Sequence, residues 1–369
     1  MTQRTLLLAM STLAAASASA QVPDLVNAFD AGGRALGMGG ATSVTGSDTL
    51  SNYHNPAGLA FVDRTTMGIA FRNFPQTKTV VTGDIGPGGT RRLDTKEESG
   101  PTGLGHVGIA IPVRSGVVGL SLTSGGQMRD QRIAGPGLVE GGLSASNYRE
   151  FTKIDTDFVN LNYSTSARDG SFSWGVGLVY AINRQINEKW APSGLTNFDV
   201  QANGLGGQAG ILVTPKENPD LTFGLSYRTP IKLKKSGMGL IYSEIPGRVE
   251  AGVAIRRNGI TGSANDFMVL GLDISHYFAG KQSLQVDRDA QTVVGAGIEY
   301  NFFRGAYRIP IRLGYSAVPG GGEGFGRRNS FTYGLGLRPT NGDWGLDLNF
   351  GTPGKGGKDF GLSFQYKLK

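Results

Sequence analysis

The sequence predicts an all-β fold, an antiparallel transmembrane β-barrel of about 14 strands that closes around an N-terminal plug. Three observations lead to this prediction. The chain begins with an export signal, most of its length consists of alternating segments of strand length, and the connections between these segments are long and short in turn.

Residues 1–20 have the three parts of a cleaved signal peptide. Arg4 supplies the positive charge, residues 6–16 form a short apolar core, and Ala18-Ser19-Ala20 gives a small-residue cleavage site. The apolar core is too short to span a bilayer. No later apolar run reaches the length of a membrane helix, so a membrane-spanning fold has to be a barrel.

The composition argues against several other classes of protein. Glycine, at 59 of 369 residues, has about twice its usual share but lacks the triplet period of collagen. Cysteine is absent, which excludes disulfides and thiolate chemistry. The formal charge of +7 is scattered over many turns rather than gathered in one patch, so we expect no nucleic-acid partner.

Four segments show the alternation most clearly. Large apolar residues take every second position and small or polar residues lie between them, which places the two sets on opposite faces of a sheet. The apolar sets are Phe172, Trp174, Val176, Leu178, Tyr180 and Ile182; Leu221, Phe223, Leu225 and Tyr227; Trp344, Leu346, Leu348 and Phe350; and Phe360, Leu362, Phe364, Tyr366 and Leu368. A soluble β-sandwich also alternates, but it predicts shorter strands and connections of similar length at both ends.

The same criterion divides the whole chain into about 14 strands. We expect them to start near Thr65, Gly103, Gly116, Asp155, Ser171, Asp199, Asp220, Gly247, Asp266, Gln291, Tyr307, Ser330, Asp343 and Asp359. Connections after odd-numbered strands are long, as from residue 75 to residue 102 and from residue 129 to residue 154, and those after even-numbered strands are short, as at Arg114 and Ser115. This asymmetry is typical of outer-membrane barrels, and the even strand number places both chain ends on the periplasmic side.

A barrel of this size encloses more space than its own inward side chains fill. Residues 21–64 are the segment available to fill it, which leaves residues 65–369 to form the barrel. The glycines of residues 30–41 favour a plug, because they allow backbone to pack closely against backbone.

Two motifs carry a resemblance to a known family. The first joins a glycine-rich run to an Asn-Pro-Ala-Gly segment through Gly33, Arg34, Gly37, Gly39, Gly40, Asn55, Pro56, Ala57 and Gly58. The second is Phe-Gly-Leu-Ser-Tyr-Arg-Thr-Pro-Ile-Lys at residues 223–232. They resemble the N-terminal hatch and a mid-barrel strand of the long-chain fatty acid and hydrocarbon transporters of the bacterial outer membrane, the FadL/TodX-like family.

The resemblance implies a 14-stranded outer-membrane barrel with a hatch. It also implies passive, ligand-gated uptake of long-chain fatty acids or other hydrophobic compounds, with neither a cofactor nor catalysis. We expect a monomer whose partners are these small molecules and the lipids of the outer membrane. The sequence does not identify the ligand, because the lining of the pocket depends on which inward residues converge.

In the family, the ligand leaves sideways into the membrane through a kink in the third strand. That kink would fall at Ser124, Gly125, Gly126 and Gln127, where paired glycines permit a bulge. A strand end running into a loop explains the same glycines equally well. The resemblance further implies a ligand-controlled gate at the mature N-terminus, formed by Gln21, Val22 and Pro23.

Alternative functions remain open at this point. A barrel of the same superfamily could act as a shuttle or anchor in secretion, and a polar porin would share the strand pattern. A barrel phospholipase is the enzyme alternative, but His54, His106 and His276 are far apart and show no spacing of a triad or a metal site. We therefore expect no catalytic residue and no metal. We also expect His276 and Tyr277 to lie at a membrane interface, where amphipathic rings are favoured.

Overall fold

The computed structural model describes residues 33–44, 46, 48–73, 76–82, 92–98, 100, 102–134, 139–140, 143–144, 148–191, 194–235, 243–259, 263, 265–279, 290–318, 328–353 and 358–368. Strands make up most of this part of the chain. Among these residues, no helix is long and apolar enough to cross a membrane.

The described strands fall into a barrel, an outer hairpin and five short segments. In chain order they are β1 (Thr66–Asn73), β2 (Gln76–Thr82), β3 (Arg92–Glu98), β4 (Thr102–Val113), β5 (Gly116–Ala134), β6 (Val139–Glu140), β7 (Leu143–Ser144), β8 (Tyr148–Ser166), β9 (Phe172–Ala191), β10 (Gly194–Val213), β11 (Leu221–Arg228), β12 (Ile231–Lys232), β13 (Lys234–Lys235), β14 (Glu244–Ile245), β15 (Arg248–Asn258), β16 (Phe267–Tyr277), β17 (Gln291–Arg304), β18 (Tyr307–Val318), β19 (Arg328–Pro339), β20 (Trp344–Pro353) and β21 (Asp359–Lys367).

A closed barrel of 14 antiparallel strands confirms the predicted fold class. Its strands are β1, β4, β5, β8, β9, β10, β11, β15, β16, β17, β18, β19, β20 and β21. Each pairs with the next, and β21 pairs with β1 from Thr66↔Lys367 to Arg72↔Gly361, which closes the ring. Closure leaves no unpaired edge within the ring.

The two faces of the barrel differ as the alternation predicts. On β9, Val176 and Leu178 are 47% and 55% exposed and point outward, whereas Ser173 and Asn183 are fully buried and point inward. An apolar exterior and a polar interior suit a barrel surrounded by lipid. The inward surface can therefore hold a polar plug.

The part of the plug that the structure describes lies inside the barrel and contains three short helical turns. They are the α-helix α1 (Gly33–Gly37) and the 3-10 helices η1 (Thr49–Asn52) and η2 (Pro56–Phe61). Asp48 and Asn55 cap the two 3-10 helices by accepting the backbone N–H of Leu50 and Ala57, respectively. We refer to residues 33–62 as the hatch. The predicted boundaries at residues 20 and 64 stay predictions.

Four neighbouring strands, β5, β8, β9 and β10, reach 19 or 20 residues and extend beyond the others on the long-connection side. The hairpin of β2 and β3 adds to this extension, since β2 runs parallel to the end of β5. The sequence predicted long connections over residues 75–102 and 129–154. That prediction was wrong for the strand residues of these ranges, because the alternation that defined the predicted strands does not continue into them.

Candidate functional site

Glycines of the barrel wall let the hatch backbone touch the wall directly. A Cβ atom on Gly297 would lie 2.4 Å from the carbonyl oxygen of Met38, and one on Gly295 would lie 2.4 Å from that of Gly39. On the hatch side, Gly39 and Gly40 have φ angles of 64° and 88°, which L-residues with side chains rarely adopt. The positive φ angles of Gly39 and Gly40 and the missing side chains of Gly295 and Gly297 therefore allow a tight turn of the hatch to pack against the wall.

The first hatch residues join a chain of charges inside the barrel. Arg34 donates to Glu299 at 2.9 and 3.1 Å. Arg312 lies between Glu299 (2.6 Å) and Asp347 (2.7 Å), and Arg338 pairs with Asp347. Each buried carboxylate thus meets two guanidinium groups, and α1 is anchored to β17, β18 and β20. Because buried ion pairs need such complete pairing, this network fixes the position of the helix.

The second half of the motif is held by hydrogen bonds rather than charge. The Asn55 side chain donates to the carbonyl oxygens of Ser43 and Ile211, and its oxygen accepts the N–H of Ala57. Gly210 leaves room for Asn55, and Gly58 approaches the carbonyl of Gly46 closely. Asparagine is suited to this position because it offers both donors and an acceptor.

A carboxylate of the wall receives the middle of the hatch. Asp273 on β16 accepts the backbone N–H groups of Thr42 and Ser43 and the Ser43 hydroxyl. Glu250 on β15 accepts the Thr42 hydroxyl at 3.2 Å. Two buried acids thus bind one turn of the hatch.

The tip of the hatch contacts a buried arginine. Arg248 donates to the carbonyl oxygens of Tyr53 (3.0 Å) and His54 (3.1 Å), and it pairs with Glu250 at 3.3 Å. Burial, followed by the charge of Arg248, holds the pKa of His54 well below its ordinary value. His54 is therefore neutral at neutral pH and bonds the Thr42 hydroxyl through Nδ1.

A packed cluster of apolar side chains, which we call the apolar chamber, lies between the hatch tip and the long-connection end of the barrel. Its members come from the hatch, from the barrel strands and from the connection between β11 and β15. The buried members are Leu50, Tyr53, Ile154, Phe158, Val179, Ala181, Ala202, Ile231, Leu233, Ile245, Tyr277 and Val293. The lumen below is polar, as at Asn52, Asn162 and Gln208, which bond one another. The chamber is thus a local apolar environment within a polar lumen.

The predicted kink is a bulge in the third barrel strand. On β5, Ser124 pairs with Asp157 of β8 and Gly126 pairs with Thr156, which leaves Gly125 without a partner in the register. A Cβ on Gly125 would lie 2.0 Å from the ring of Phe158, so the ring packs against the bulge. The chamber therefore meets the barrel wall where the hydrogen-bond ladder is interrupted.

The remaining predicted residues have different outcomes. Gly33 approaches Ser363, Gly37 approaches Asn349, and Pro56 approaches Gly175 in the hatch–wall interface. The backbone of Gln127 pairs with Asp155 next to the bulge. The proposed gate residues Gln21, Val22 and Pro23 lie outside the described residues.

Sequence reasoning missed the most unusual residues of the chamber. Tyr277 is 1% exposed and points into the lumen, so the interface position expected for it was wrong. Adjacent residues of a strand face opposite sides, and His276 takes the outward one. Arg228 is 2% exposed at the chamber floor. Within the described part of the chain, no cluster of His, Asp and Glu could hold a metal ion.

A concavity of about 800 Å³ lies elsewhere, on the outer face of β15–β19. Its floor is formed by Gly271, Ala296, Gly297 and Gly314, and leucines and aromatic residues surround it. This groove faces lipid, so it is separate from the chamber.

Similar solved structures include a toluene transporter and a monoaromatic hydrocarbon channel. A FadL homologue of Pseudomonas aeruginosa shares 16% identity at a TM-score of 0.63, with 95% of this chain and 99% of that chain covered. The Pseudomonas putida toluene transporter TodX shares 15% identity at a TM-score of 0.62, covering 94% and 99%. The monoaromatic hydrocarbon channel CymD shares 10% at a TM-score of 0.58, covering 93% and 99%.

These structures confirm the predicted resemblance at the level of the fold. No protein-family model matches the sequence, and no curated protein matches it.

Proposed function

We propose that this chain, which shares the fold of FadL- and TodX-type barrels, is an outer-membrane channel for the passive uptake of hydrophobic compounds. Long-chain fatty acids and hydrocarbons are the compounds we expect, and ligand binding opens the path. The chain reaches the membrane after removal of residues 1–20 as a signal peptide. It acts as a monomer and needs no cofactor.

The apolar chamber carries this proposal. Its members include Ile154, Phe158, Val179 and Tyr277, all of which are 0–1% exposed. A porin needs a continuous aqueous lumen, whereas here the hatch fills the lumen and apolar side chains lie above it. Buried apolar surroundings of this kind favour apolar ligands.

The bulge at Gly125 supports a sideways exit into the membrane. It adjoins the chamber through Phe158, and it interrupts the pairing of β5 with β8. Displacement of one ring would connect the chamber with the lipid phase. A ligand taking this path avoids the polar lumen below, where desolvated polar groups would be left unpaired.

Uptake of labelled palmitate into vesicles with a lipopolysaccharide outer leaflet tests the proposal, with a labelled small sugar as the polar control. The variants are deletion of residues 21–64 and deletion of Gly125. The second deletion removes the residue that has no partner, so β5 and β8 regain continuous pairing without a change of register.

We expect saturable palmitate entry without sugar entry, an altered rate on removal of residues 21–64, and at least tenfold slower palmitate entry after deletion of Gly125. Palmitate entry no faster than in protein-free vesicles would reject the channel and favour a secretion-associated barrel. Sugar entry through the intact protein would instead identify a porin. Normal entry after deletion of Gly125 would reject the sideways exit alone.

A further inference from the structure

The groove on the outer face of β15–β19, which we call the outer groove, lies between two rows of outward-facing apolar side chains. Each row takes one residue from every strand, and the residues of a row pair with one another across the sheet. The floor between the rows is backbone, at Gly271, Gly297 and Gly314. The upper row consists of Val253, Leu272, Ala296, Tyr315 and Phe331, and the lower row, two residues nearer the short turns, of Ile255, Leu270, Ile298, Leu313 and Tyr333.

Ala296 gives the outer groove its width. It stands in the middle of the upper row, between the larger side chains of Leu272 and Tyr315. The lower row has a large apolar side chain on every strand. The small residue therefore widens the groove at its centre, and the volume of about 800 Å³ lies in the range of small-ligand sites.

The shape of the outer groove selects a slender, flexible chain. Four interstrand spacings make it about 19 Å long, and the acyl chains of one leaflet fill about 15 Å, half of the hydrocarbon core. Because the strands of such barrels are tilted, the groove crosses the membrane obliquely. A neighbouring barrel is convex and would touch only the tops of the rows, whereas an acyl chain reaches the floor.

Packing, rather than the hydrophobic effect, makes this position favourable for an acyl chain. Lipid tails are as apolar as leucine, so a bilayer offers no hydrophobic gain at the groove. A chain between the two rows has side chains on both sides and backbone beneath it. It therefore makes more van der Waals contacts than a chain that lies on a smooth part of the barrel.

Two exposed arginines continue this outer surface toward the short turns. Arg257 and Arg304 lie near the ends of β15 and β17, on the same faces as the groove residues of those strands. Arg257 pairs with Asp220 at 2.9 Å. Arg304 lies 4.0 Å from Asp266. Their side chains are still 54% and 65% exposed. Since a guanidinium has several N–H donors, each arginine keeps donors for a phosphate group at the membrane surface.

From the outer groove and these arginines we infer a binding site for one phospholipid of the periplasmic leaflet. One acyl chain lies in the groove, and the phosphate lies at the level of Arg257 and Arg304. The short turns face the periplasm, so the head group belongs to that leaflet. A phospholipid suits an oblique groove better than lipopolysaccharide does, because its chains separate more easily than the many chains tied to one lipopolysaccharide head group.

Photolabelling of the full-length barrel in phosphatidylethanolamine vesicles tests the site. The probe is phosphatidylglycerol with a diazirine in the middle of one acyl chain. The control probe is a diacylglycerol that carries the same chain but no phosphate. Mass spectrometry of the labelled peptides compares β15–β19 with β5, β8 and β9, whose outer faces are also apolar, as at Leu120, Leu161 and Leu178.

The variants have matched controls. Ala296→Phe fills the groove, and Ala209→Phe adds the same ring at an exposed position of β10. The double variant Arg257→Gln/Arg304→Gln removes the charges at the head group, and Arg168→Gln removes a charge from an exposed short turn elsewhere. The heat-dependent gel mobility of each variant verifies that its barrel is closed.

We expect phosphatidylglycerol to label β15–β19 about fivefold more densely per residue than β5, β8 and β9. It should label them about threefold more strongly than diacylglycerol does, as is usual for exposed charge pairs. Ala296→Phe should remove the excess on β15–β19, and Ala209→Phe should leave it unchanged. Arg257→Gln/Arg304→Gln should abolish the preference for phosphatidylglycerol and keep the labelling by diacylglycerol, and Arg168→Gln should match the intact barrel.

Even labelling of all outer faces, or an excess on β15–β19 that persists in Ala296→Phe, would overturn the outer groove as a lipid site. Equal labelling by the two probes in the intact barrel would overturn the assignment to a phospholipid. If Ala296→Phe does not close, the comparison of the strands in the intact barrel decides. The site lies outside the uptake path, so palmitate entry is judged separately.

Discussion

At Gly297 the barrel wall is one backbone thick, with the hatch on one side and lipid on the other. The nearest hatch atoms to a Cβ at this position are the carbonyl oxygen and the Cα of Met38, at 2.4 and 2.7 Å. Backbone atoms cannot rotate away as a flexible side chain can. Any residue other than glycine at position 297 would therefore require the hatch to move.

Gly297→Ala should destabilise the docked hatch by about 1–3 kcal/mol, the usual cost of overpacking. We expect faster proteolysis within residues 33–62 in the variant while the barrel itself remains closed. Gly207→Ala is the control, because its Cβ would meet nothing nearer than 3.6 Å. Equal proteolysis rates for both variants would show that the hatch does not depend on this contact.

Within the hatch, the stability of the segment that carries His54 depends on the charge state of that residue. Arg248 donates to the carbonyl oxygens of Tyr53 and His54, so a proton on the ring would face a fixed positive charge. Burial and this charge hold the pKa of His54 well below 6.5, the ordinary value. The unfolded chain therefore binds a proton near pH 6.5 that the folded chain does not bind.

Stability should fall as the pH falls below 6.5, since protonation then favours the unfolded state. The contribution of His54 reaches about 2 kcal/mol at pH 5. Urea unfolding at pH 7 and pH 5 measures it, with His54→Gln as the variant that keeps a hydrogen-bonding side chain but cannot titrate. The intact barrel should lose more stability between the two pH values than His54→Gln does. An equal loss in both would assign the pH dependence to other groups.

The strands were predictable from the sequence wherever lipid lies on one side and the lumen on the other. This two-sided environment imposes the alternation, as at Val176 and Leu178, and the number of barrel strands follows from it. The prediction failed where β8 starts at Tyr148 rather than near Asp155, and where β10 starts at Gly194 rather than near Asp199. In both stretches the apolar residues lie three positions apart, Phe151 and Ile154 in one and Leu195 and Phe198 in the other, so the period of two does not extend into them.

The candidate site was predictable only in part. The hatch glycines and Asn55 stand close together in the sequence, so they can be recognised there as one motif. Arg228, Arg248 and Tyr277 meet through the register of β11, β15 and β16, which is set by the whole ladder. Nothing local in the sequence distinguishes Arg228 from an arginine that has an acidic partner.

For the whole molecule, the position of the long strands defines the orientation in the membrane. The extended ends of β8, β9 and β10 and the hairpin of β2 and β3 lie on one side, and short turns such as the one at Arg168 lie on the other. By the rule for outer-membrane barrels, the long side faces the cell exterior.

The chain contains no cysteine, so single cysteines can report this orientation without background. Asn197→Cys, at an exposed position on the long side, should react with a membrane-impermeant maleimide on intact cells. Arg168→Cys, in an exposed short turn, should react only after the cells are broken. The reverse pattern would invert the barrel and place the chamber next to the periplasm.

The pairing of β21 with β1 has a consequence for biogenesis. Residues 359–367 hydrogen-bond to β20 on one side and to β1 on the other, and the Lys367 side chain reaches Asp63 at 2.6 Å. β1, the first barrel strand to leave the export machinery, therefore stays unpaired on one side until β21 has followed it. A nascent chain that is cut short keeps two open strand edges, which favour aggregation and attract proteases. Closure thus makes insertion all-or-none and gives the cell a simple criterion for discarding incomplete chains.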